Sequence, residues 1–306
     1  MKCTNIFINV IKNLKGFATL SLVVALLPMN LQGALELNIT RGTVSPVPIA
    51  ITPFADSGSD NGWGEKIATV VTDDLKNSGL FAPVDRNAFI QDANSLQAGP
   101  RFAEWRLINA DSLVVGKVTT EGDKLRVEFR LFDVVSEAQL DGRALSATAK
   151  DWRRIAHKIA DAIYERITGD KGYFDSKIIY VARMQQGKKR TERLAVIDQD
   201  GENHFYMTNG TSLVMTPRYS PNMQSITFLD FASKVPKVYM MNMASRQRIL
   251  MGNFPGMTFA PQFSPAGNRL VMSFARNGAT NLYDLNLTTH KIHQLTTDPI
   301  IDTSPS

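Results

Sequence analysis

The residue types that most often catalyse reactions or bind metals are sparse in this sequence. The histidines are His157, His204, His290 and His293, and the single cysteine, Cys3, lies in the N-terminal leader. His290 and His293 are three residues apart. On a predicted strand this spacing directs the two side chains to opposite faces, which disfavours a shared metal ion. Beyond Cys3 the chain has no thiol for a disulfide, a thiolate metal site or a nucleophile.

Two acidic segments could be mistaken for functional sites, one for a calcium-binding loop and the other for a catalytic acid/base pair. The run Asp198-Gln199-Asp200-Gly201 starts like a calcium-binding loop but lacks the later acidic ligand that completes one, so it predicts a turn without metal. Asp73 and Asp74 are adjacent on a predicted helix, where neighbouring side chains diverge, and are predicted to lie on a solvated face. The sequence has no nucleophile elbow, phosphate-binding loop or dinucleotide fingerprint. It therefore favours a protein without catalytic residues, cofactor, metal or small-molecule substrate.

The composition is that of an ordinary globular chain, with 43% hydrophobic and 21% charged residues. The net charge of +5 includes Lys2, Lys12 and Lys15 of the leader, so the remainder is nearly balanced. No basic run alternates with aromatic residues, which argues against nucleic acid as a partner. The densest basic cluster, Gly187-Lys188-Lys189-Arg190, lies between two strand-like runs and is predicted to be a hairpin tip.

Residues 1–34 have the organisation of a secretory signal peptide, with basic residues first and an apolar run at 17–27. This run is shorter than the ~20 residues that a membrane span needs. We therefore expect export into an oxidising compartment, which also suits a mature chain without cysteine. Because Gln32-Gly33-Ala34 is not a clean cleavage site, an uncleaved anchor is the alternative.

The segment after the leader alternates apolar and polar residues, which is typical of a strand. Its residues are Leu35, Glu36, Leu37, Asn38, Ile39 and Thr40. A free N-terminal strand can add to the sheet edge of another protein. It can equally pack on its own domain, and the sequence leaves both alternatives open.

Residues 35–170 are predicted to form an α/β domain. Apolar residues recur at spacings of three and four in the predicted helices, and turn residues separate them from β-type runs. The predicted strands are at 49–54, 80–81, 113–118 and 125–134, and the predicted helices at 65–75, 102–108 and 151–167. Such apolar stripes usually form a core rather than a cofactor site.

The C-terminal part of the chain repeats one motif. Pro217-Arg218-Tyr219-Ser220-Pro221 recurs 44 residues later as Pro261-Gln262-Phe263-Ser264-Pro265, and a further 44 residues lead to Pro305. A repeat of this length with short β-type runs between turns is typical of β-propeller blades. Residues 175–306 are therefore predicted to form part of a propeller, with a generic antiparallel meander as the alternative.

Together these segments resemble the TolB family, the periplasmic component of the Tol-Pal system of Gram-negative bacteria. The resemblance rests on residues 48–54, 74–81, 172–174, 178–181, 216–221 and 260–265. It implies an α/β N-terminal domain followed by an incomplete β-propeller, with about three of six blades present. It also implies a periplasmic protein-binding scaffold that is not an enzyme and that supports outer-membrane integrity and constriction at division.

The resemblance further implies two protein partners. A TolA-like inner-membrane protein is expected to bind the segment from Leu35 to Thr40. A Pal-like lipoprotein is expected at the loops entering each repeat, namely Met215, Thr216, Met257, Thr258, Ala260, Thr303 and Ser304.

Two departures from the family pattern leave alternatives open. The loop at 256–259 lacks the histidine associated with it in the family, and the sequence ends at Ser306, inside a repeat. A truncated reading frame or fragment, without function, is one alternative. A propeller belonging to a peptidase-like protein and a half-propeller that closes as a dimer are the others.

Overall fold

The computed structural model describes residues 45–57, 61–233, 235–251, 257–276, 278–303 and 305. The leader, the predicted strand from Leu35 to Thr40, and Ser304 lie outside the described residues. The described chain begins with an α/β region and continues with three antiparallel sheets. Among the described residues, no helix has the length and apolar character needed to cross a bilayer.

The α/β region is one mixed sheet with helices on its faces. Its strands are β1 (Val47–Ile51), β2 (Ala55–Ser57), β3 (Phe81–Pro83), β4 (Ser112–Glu121), β5 (Lys124–Asp133) and β6 (Gln139–Thr148). Its helices are α1 (Trp63–Asn77), α2 (Ser95–Ala98), α3 (Phe102–Leu107) and α4 (Trp152–Thr168). The strand order is β3-β1-β4-β5-β6, with β2 beside β4. The parallel pairs are β1 with β3 and β4, and β2 with β4, whereas β4, β5 and β6 are antiparallel.

The main core lies between this sheet and the helices α1 and α4. Ile67 and Val71 of α1 and Ile159 and Ile163 of α4 are fully buried in it, because spacings of three and four place them on one face of each helix. Each such side chain contributes about 1.5–3 kcal/mol when it leaves water. A second core around Trp105 forms on the other face of the sheet, under α2 and α3.

A short segment joins the α/β region to the first antiparallel sheet. Phe174 is buried and its ring lies 5.7 Å from that of Tyr164 in α4. The carboxylate of Asp161 accepts hydrogen bonds from the backbone N–H groups of Phe174 and Asp175, at 2.6 and 3.1 Å. Gly172 runs so close to Asp161 that a Cβ would not fit there. The motif Gly-Tyr-Phe therefore attaches the linker to α4.

The three antiparallel sheets follow in chain order. The first sheet contains β7 (Lys177–Gln186), β8 (Lys189–Asp198) and β9 (Phe205–Tyr206). The second sheet contains β10 (Val214–Tyr219), β11 (Ser225–Asp230), β12 (Lys237–Asn242) and β13 (Arg248–Leu250). The third sheet contains β14 (Met257–Phe263), β15 (Arg269–Arg276), β16 (Ala279–Asn286) and β17 (Ile292–Gln294). The predicted hairpin tip is confirmed, with Gly187 at a φ of 60° between β7 and β8.

The second and third sheets repeat one register, which confirms the predicted repeat. Tyr219 pairs with Ile226 in the second sheet, and Phe263 pairs with Leu270 in the third. Each sheet also has a β-bulge two to four residues before that pair, between Met215 and Arg218 and between Phe259 and Gln262. A bulge at the same position bends the strand in the same way in both sheets.

The Ser-Pro turns are repeated as well. The Ser220 hydroxyl accepts a hydrogen bond from the N–H of Ser225 at 3.0 Å, and Ser264 accepts one from Arg269 at 3.2 Å. The left-handed position of the turn is Met223 in one sheet and Gly267 in the other, with φ of 57° and 73°. The side chain of the serine therefore closes the hairpin in both sheets.

Candidate functional site

The residues predicted to bind a lipoprotein lie near the bulges of two neighbouring sheets, where Thr216 and Ala260 occupy equivalent positions. Met215 and Thr216 lie in β10 at its bulge, and Ala260 lies in β14 at the matching bulge, which Met257 and Thr258 precede. The strands β10 and β14 contact each other. The structure therefore brings these two groups of residues together.

The residues before Thr303 contact the third sheet at the end where β14 begins. The N–H of Asp302 donates to the carbonyl of Thr280 at 2.8 Å, and Ile301 forms an isolated bridge with Thr280. Thr280 lies at the start of β16, next to the β15–β16 hairpin. We call this end of the second and third sheets the loop end, formed by residues 213–216, 231–233, 235–236 and 300–303.

The loop end exposes several large apolar side chains. Leu213, Met215 and Val235 are 40%, 44% and 44% exposed, and Ile300 and Ile301 are 55% and 73% exposed. The other end of the same sheets carries the turns at 220–224, 243–247 and 287–291, and we call it the turn end. Exposed apolar side chains at one end of a protein are a feature of surfaces that bind other proteins.

Thr216 adds backbone strain to the loop end. Its φ is 48°, a left-handed conformation that a β-branched residue rarely adopts. Its hydroxyl oxygen is buried without a hydrogen-bond partner among the described residues. Such a conformation costs about 1–3 kcal/mol and is concentrated at functional sites. No local sequence pattern indicates this conformation, because threonine is an ordinary strand residue.

A second candidate site is a buried polar cluster between α1, α4 and the turn after β8. We call it the junction cluster, and it consists of Asp74, Arg153, His157, Asp198, Gln199 and Asp200. Asp74 accepts hydrogen bonds from His157 Nδ1 at 2.6 Å and from Gln199 Nε2 at 2.9 Å. Asp74 and His157 are only 1% and 2% exposed.

The predicted solvated position of Asp74 is therefore wrong, whereas Asp73 is exposed. Asp74 lies seven residues after Ile67 and three after Val71, so it belongs to the apolar stripe of α1. This position in the stripe was the sequence signal for burial. The strand predicted at His290 is also wrong, because His290 lies in a turn with φ of 55° and His293 lies in β17.

Charges in the junction cluster are compensated across its elements. Arg153 Nε donates to Asp200 Oδ2 at 2.8 Å, Lys177 forms an ion pair with Asp198, and Asn203 Nδ2 donates to Asp198 at 2.6 Å. Burial lowers the pKa of His157, but the hydrogen bond and charge of Asp74, with the charges of Asp200 and Asp198, outweigh it and raise that pKa. The cluster thus joins the α/β region to the first sheet by polar contacts.

Comparison with known proteins places these features in one family. A family model described as the TolB amino-terminal domain matches residues 35–140, and one described as the TolB beta propeller domain matches residues 164–306. The Tol-Pal system protein TolB of Paramagnetospirillum magneticum is 51% identical over 253 residues, which cover 81% of this chain. The chain belongs to the TolB family.

A solved TolB structure agrees with the fold. The crystal structure of TolB from Acinetobacter baumannii matches with a TM-score of 0.72 and 28% identity, over 84% of this chain and 62% of that one. The predicted order of an α/β domain and a partial TolB propeller is confirmed. The chain spans about half the length of its TolB relative, 56%. The predicted domain boundaries and partner-binding residues stay predictions.

Proposed function

We propose that this chain is a periplasmic protein-binding scaffold that links a Pal-like lipoprotein to a TolA-like inner-membrane protein. Through these links it supports outer-membrane integrity and constriction of the envelope at cell division. The observation that carries the proposal is the loop end, where adjacent sheets expose apolar residues and Thr216 has a strained backbone. Membership of the TolB family supports the same assignment.

The loop end is suited to binding a folded protein rather than a small molecule. Its exposed side chains Met215, Val235 and Ile301 project from separate segments of two sheets. Apolar anchors at the centre of an interface supply most of its affinity, and polar groups at the rim supply specificity. Sheets that are held by their own hydrogen bonds present such anchors without a large ordering cost.

The second partner is assigned to the segment from Leu35 to Thr40. Its alternation of apolar and polar residues suits an added strand, whose backbone supplies the affinity and whose alternate side chains supply the specificity. The signal-like residues 1–34 support delivery of the chain to the periplasm, where both partners would be accessible.

Binding of the lipoprotein is tested by calorimetric titration of the purified chain with the soluble domain of a Pal-like lipoprotein. We expect saturable binding that weakens at least about tenfold in Met215→Glu and in Ile301→Glu, because each change places a charge in an apolar interface. Thr288→Glu is the matched control, because Thr288 is exposed at the turn end. Equal weakening by all three variants, or no binding by the folded chain, would contradict the proposal.

Binding of the inner-membrane partner is tested separately. Deletion of residues 35–40 should abolish capture of the periplasmic domain of a TolA-like protein and leave binding of the lipoprotein unchanged. Retained capture would place the TolA-binding surface elsewhere. Fractionation of cells that express the chain should recover it from the periplasm, and recovery from the cytoplasm would contradict the assigned location.

A further inference from the structure

The junction cluster contains a buried nitrogen that its neighbours leave without a hydrogen bond. His157 is 2% exposed, and its Nε2 has no hydrogen-bond partner among the described residues. The carboxylate oxygen Asp200 Oδ2 lies 3.4 Å from it. A buried polar atom without a partner costs about 1–3 kcal/mol, so its position calls for a physical explanation.

The spacing around Nε2 matches the ligands of one metal ion. His157 Nε2 and carboxylate oxygens of Asp198 and Asp200 all lie within 4.8 Å of one another. Bonds of about 2.0–2.2 Å to a tetrahedral ion separate neighbouring ligand atoms by roughly 3.4 Å. The distance from Nε2 to Asp200 Oδ2 is 3.4 Å, so little movement is needed there for both atoms to bind the same ion.

The other side of the imidazole is arranged as in known metal sites. A metal-binding histidine usually donates its second N–H to a carboxylate, which fixes the tautomer and the ring orientation. Asp74 occupies that position, 2.6 Å from His157 Nδ1, and Gln199 Nε2 holds its other oxygen at 2.9 Å. With the proton on Nδ1, the lone pair of Nε2 is directed towards Asp198 and Asp200.

The charges of the junction cluster also favour a cation. Asp74, Asp198 and Asp200 are opposed by two fixed cations, Arg153 and Lys177, which pair with Asp200 and Asp198. When His157 is neutral, as a metal ligand must be, the three carboxylates exceed these two cations by one negative charge, which a bound cation would compensate. An imidazole nitrogen with two carboxylates and no thiolate is a ligand set that suits zinc better than calcium or magnesium.

We propose that His157, Asp198 and Asp200 bind one zinc ion, with Asp74 as the positioning residue of the imidazole. The ion would join α4 to the turn after β8, and so fasten the first sheet to the α/β region. The sequence predicted no metal at Asp198-Gln199-Asp200-Gly201 because no later acidic ligand follows. In this proposal the missing ligand comes from His157, 41 residues before Asp198, which loop spacing does not show.

The test is titration of the purified full chain, without histidine tag, with Zn²⁺ in competition with a chelator. We expect one zinc ion per chain, and His157→Gln should lower the affinity at least about 100-fold. Asp74→Asn keeps all three ligands and should lower the affinity about 10–100-fold, so it also tests the site if His157→Gln does not fold. X-ray absorption of the zinc-loaded chain should show one imidazole nitrogen and oxygen ligands.

Exposed histidines provide the matched controls. His204→Gln and His293→Gln, both at exposed positions, should leave zinc affinity unchanged. Three results would overturn the proposal: no saturable binding by the folded chain, an affinity unchanged in His157→Gln, or a site with two or more imidazoles. Binding that disappears in either control variant would show that zinc was held adventitiously at the surface.

Discussion

Each of the three sheets has a turn that begins at an equivalent position, at Asp198, Asn242 and Asn286, spaced by 44 residues. The first turn differs from the other two in its backbone hydrogen bonds and in the use of its side chains. In the second and third sheets Asn242 and Asn286 close their own turns, each accepting two backbone N–H groups at 2.9–3.0 Å. In the first sheet Asp198 pairs with Lys177, while Gln199 and Asp200 bond to α1 and α4. The comparison teaches that a repeated sheet register does not fix the turns, so one turn can differ and contact residues outside the repeat.

The substitution with the largest expected effect on stability removes the contact that distinguishes the turn of the first sheet. Asp74→Ala removes the acceptor of both His157 and Gln199, so we expect the free energy of unfolding to fall by about 4 kcal/mol. The measurement is urea unfolding with a chelator present, so that metal binding does not contribute. Asp73→Ala is the matched control on the exposed side of the same helix, with an expected change within about 0.5 kcal/mol. Equal losses in the two variants would contradict the burial of Asp74.

The next prediction tests whether the buried residues of the second and third sheets contribute equally to stability. Ile226 and Leu270 are both 0% exposed and pair with Tyr219 and Phe263. Ile226→Ala and Leu270→Ala should each cost about 3 kcal/mol through lost burial and the resulting cavity. Thermal unfolding of both variants measures this. A large loss in one and almost none in the other would show that the two sheets do not form equivalent cores.

The second and third sheets also differ at one equivalent position, which is Tyr219 in one and Phe263 in the other. This difference should make stability depend on pH through Tyr219. Burial, with the nearby charge of Asp198, raises the pKa of Tyr219 to about 12 from its ordinary value of 10.0. The folded chain then keeps a proton that the unfolded chain loses, so stability is complete below pH 10 and falls as the pH rises towards 12. Because Tyr219 is partly exposed to solvent, we expect the free energy of unfolding to fall by only about 1.5 kcal/mol over this pH range.

Tyr219→Phe reproduces the residue of the third sheet and should remove this alkaline loss. Because the Tyr219 hydroxyl is buried without a hydrogen-bond partner in the described part of the chain, the variant should be as stable as the parent at pH 7. Urea unfolding between pH 8 and 11 makes the measurement. An unchanged alkaline slope in the variant would assign the loss to another group.

The smallest expected effects concern the Ser-Pro turns. Ser220→Ala and Ser264→Ala should each cost about 1 kcal/mol, because each removes an acceptor for a turn N–H. The loss should be greater at Ser220, which is 6% exposed and also donates to the carbonyl of Ser225 at 2.9 Å. Ser136→Ala, at an exposed position, is the control in the same unfolding assay. A greater loss at Ser264 would reverse the predicted order.

The sequence predicted those parts of the fold that depend on local pattern. The stripes of α1 and α4 and the motifs around Tyr219 and Phe263 have periods that a chain shows by itself. The junction cluster was missed because Asp74 meets His157 and Gln199 across 83 and 125 residues. The strained conformation of Thr216 was also missed, since tertiary packing overrides local preference there. Strand β6 was missed because its exposed edge residues show no clean alternation.

The central claim is that partners bind at the loop end and not at the turn end. Hydrogen exchange measured with and without the soluble domain of a Pal-like lipoprotein tests it directly, because both ends are read in one experiment. The account predicts slower exchange at residues 213–216, 231–233, 235–236 and 300–303 in the complex, with unchanged exchange at 243–247 and 287–291. Protection confined to the turn-end segments would contradict it.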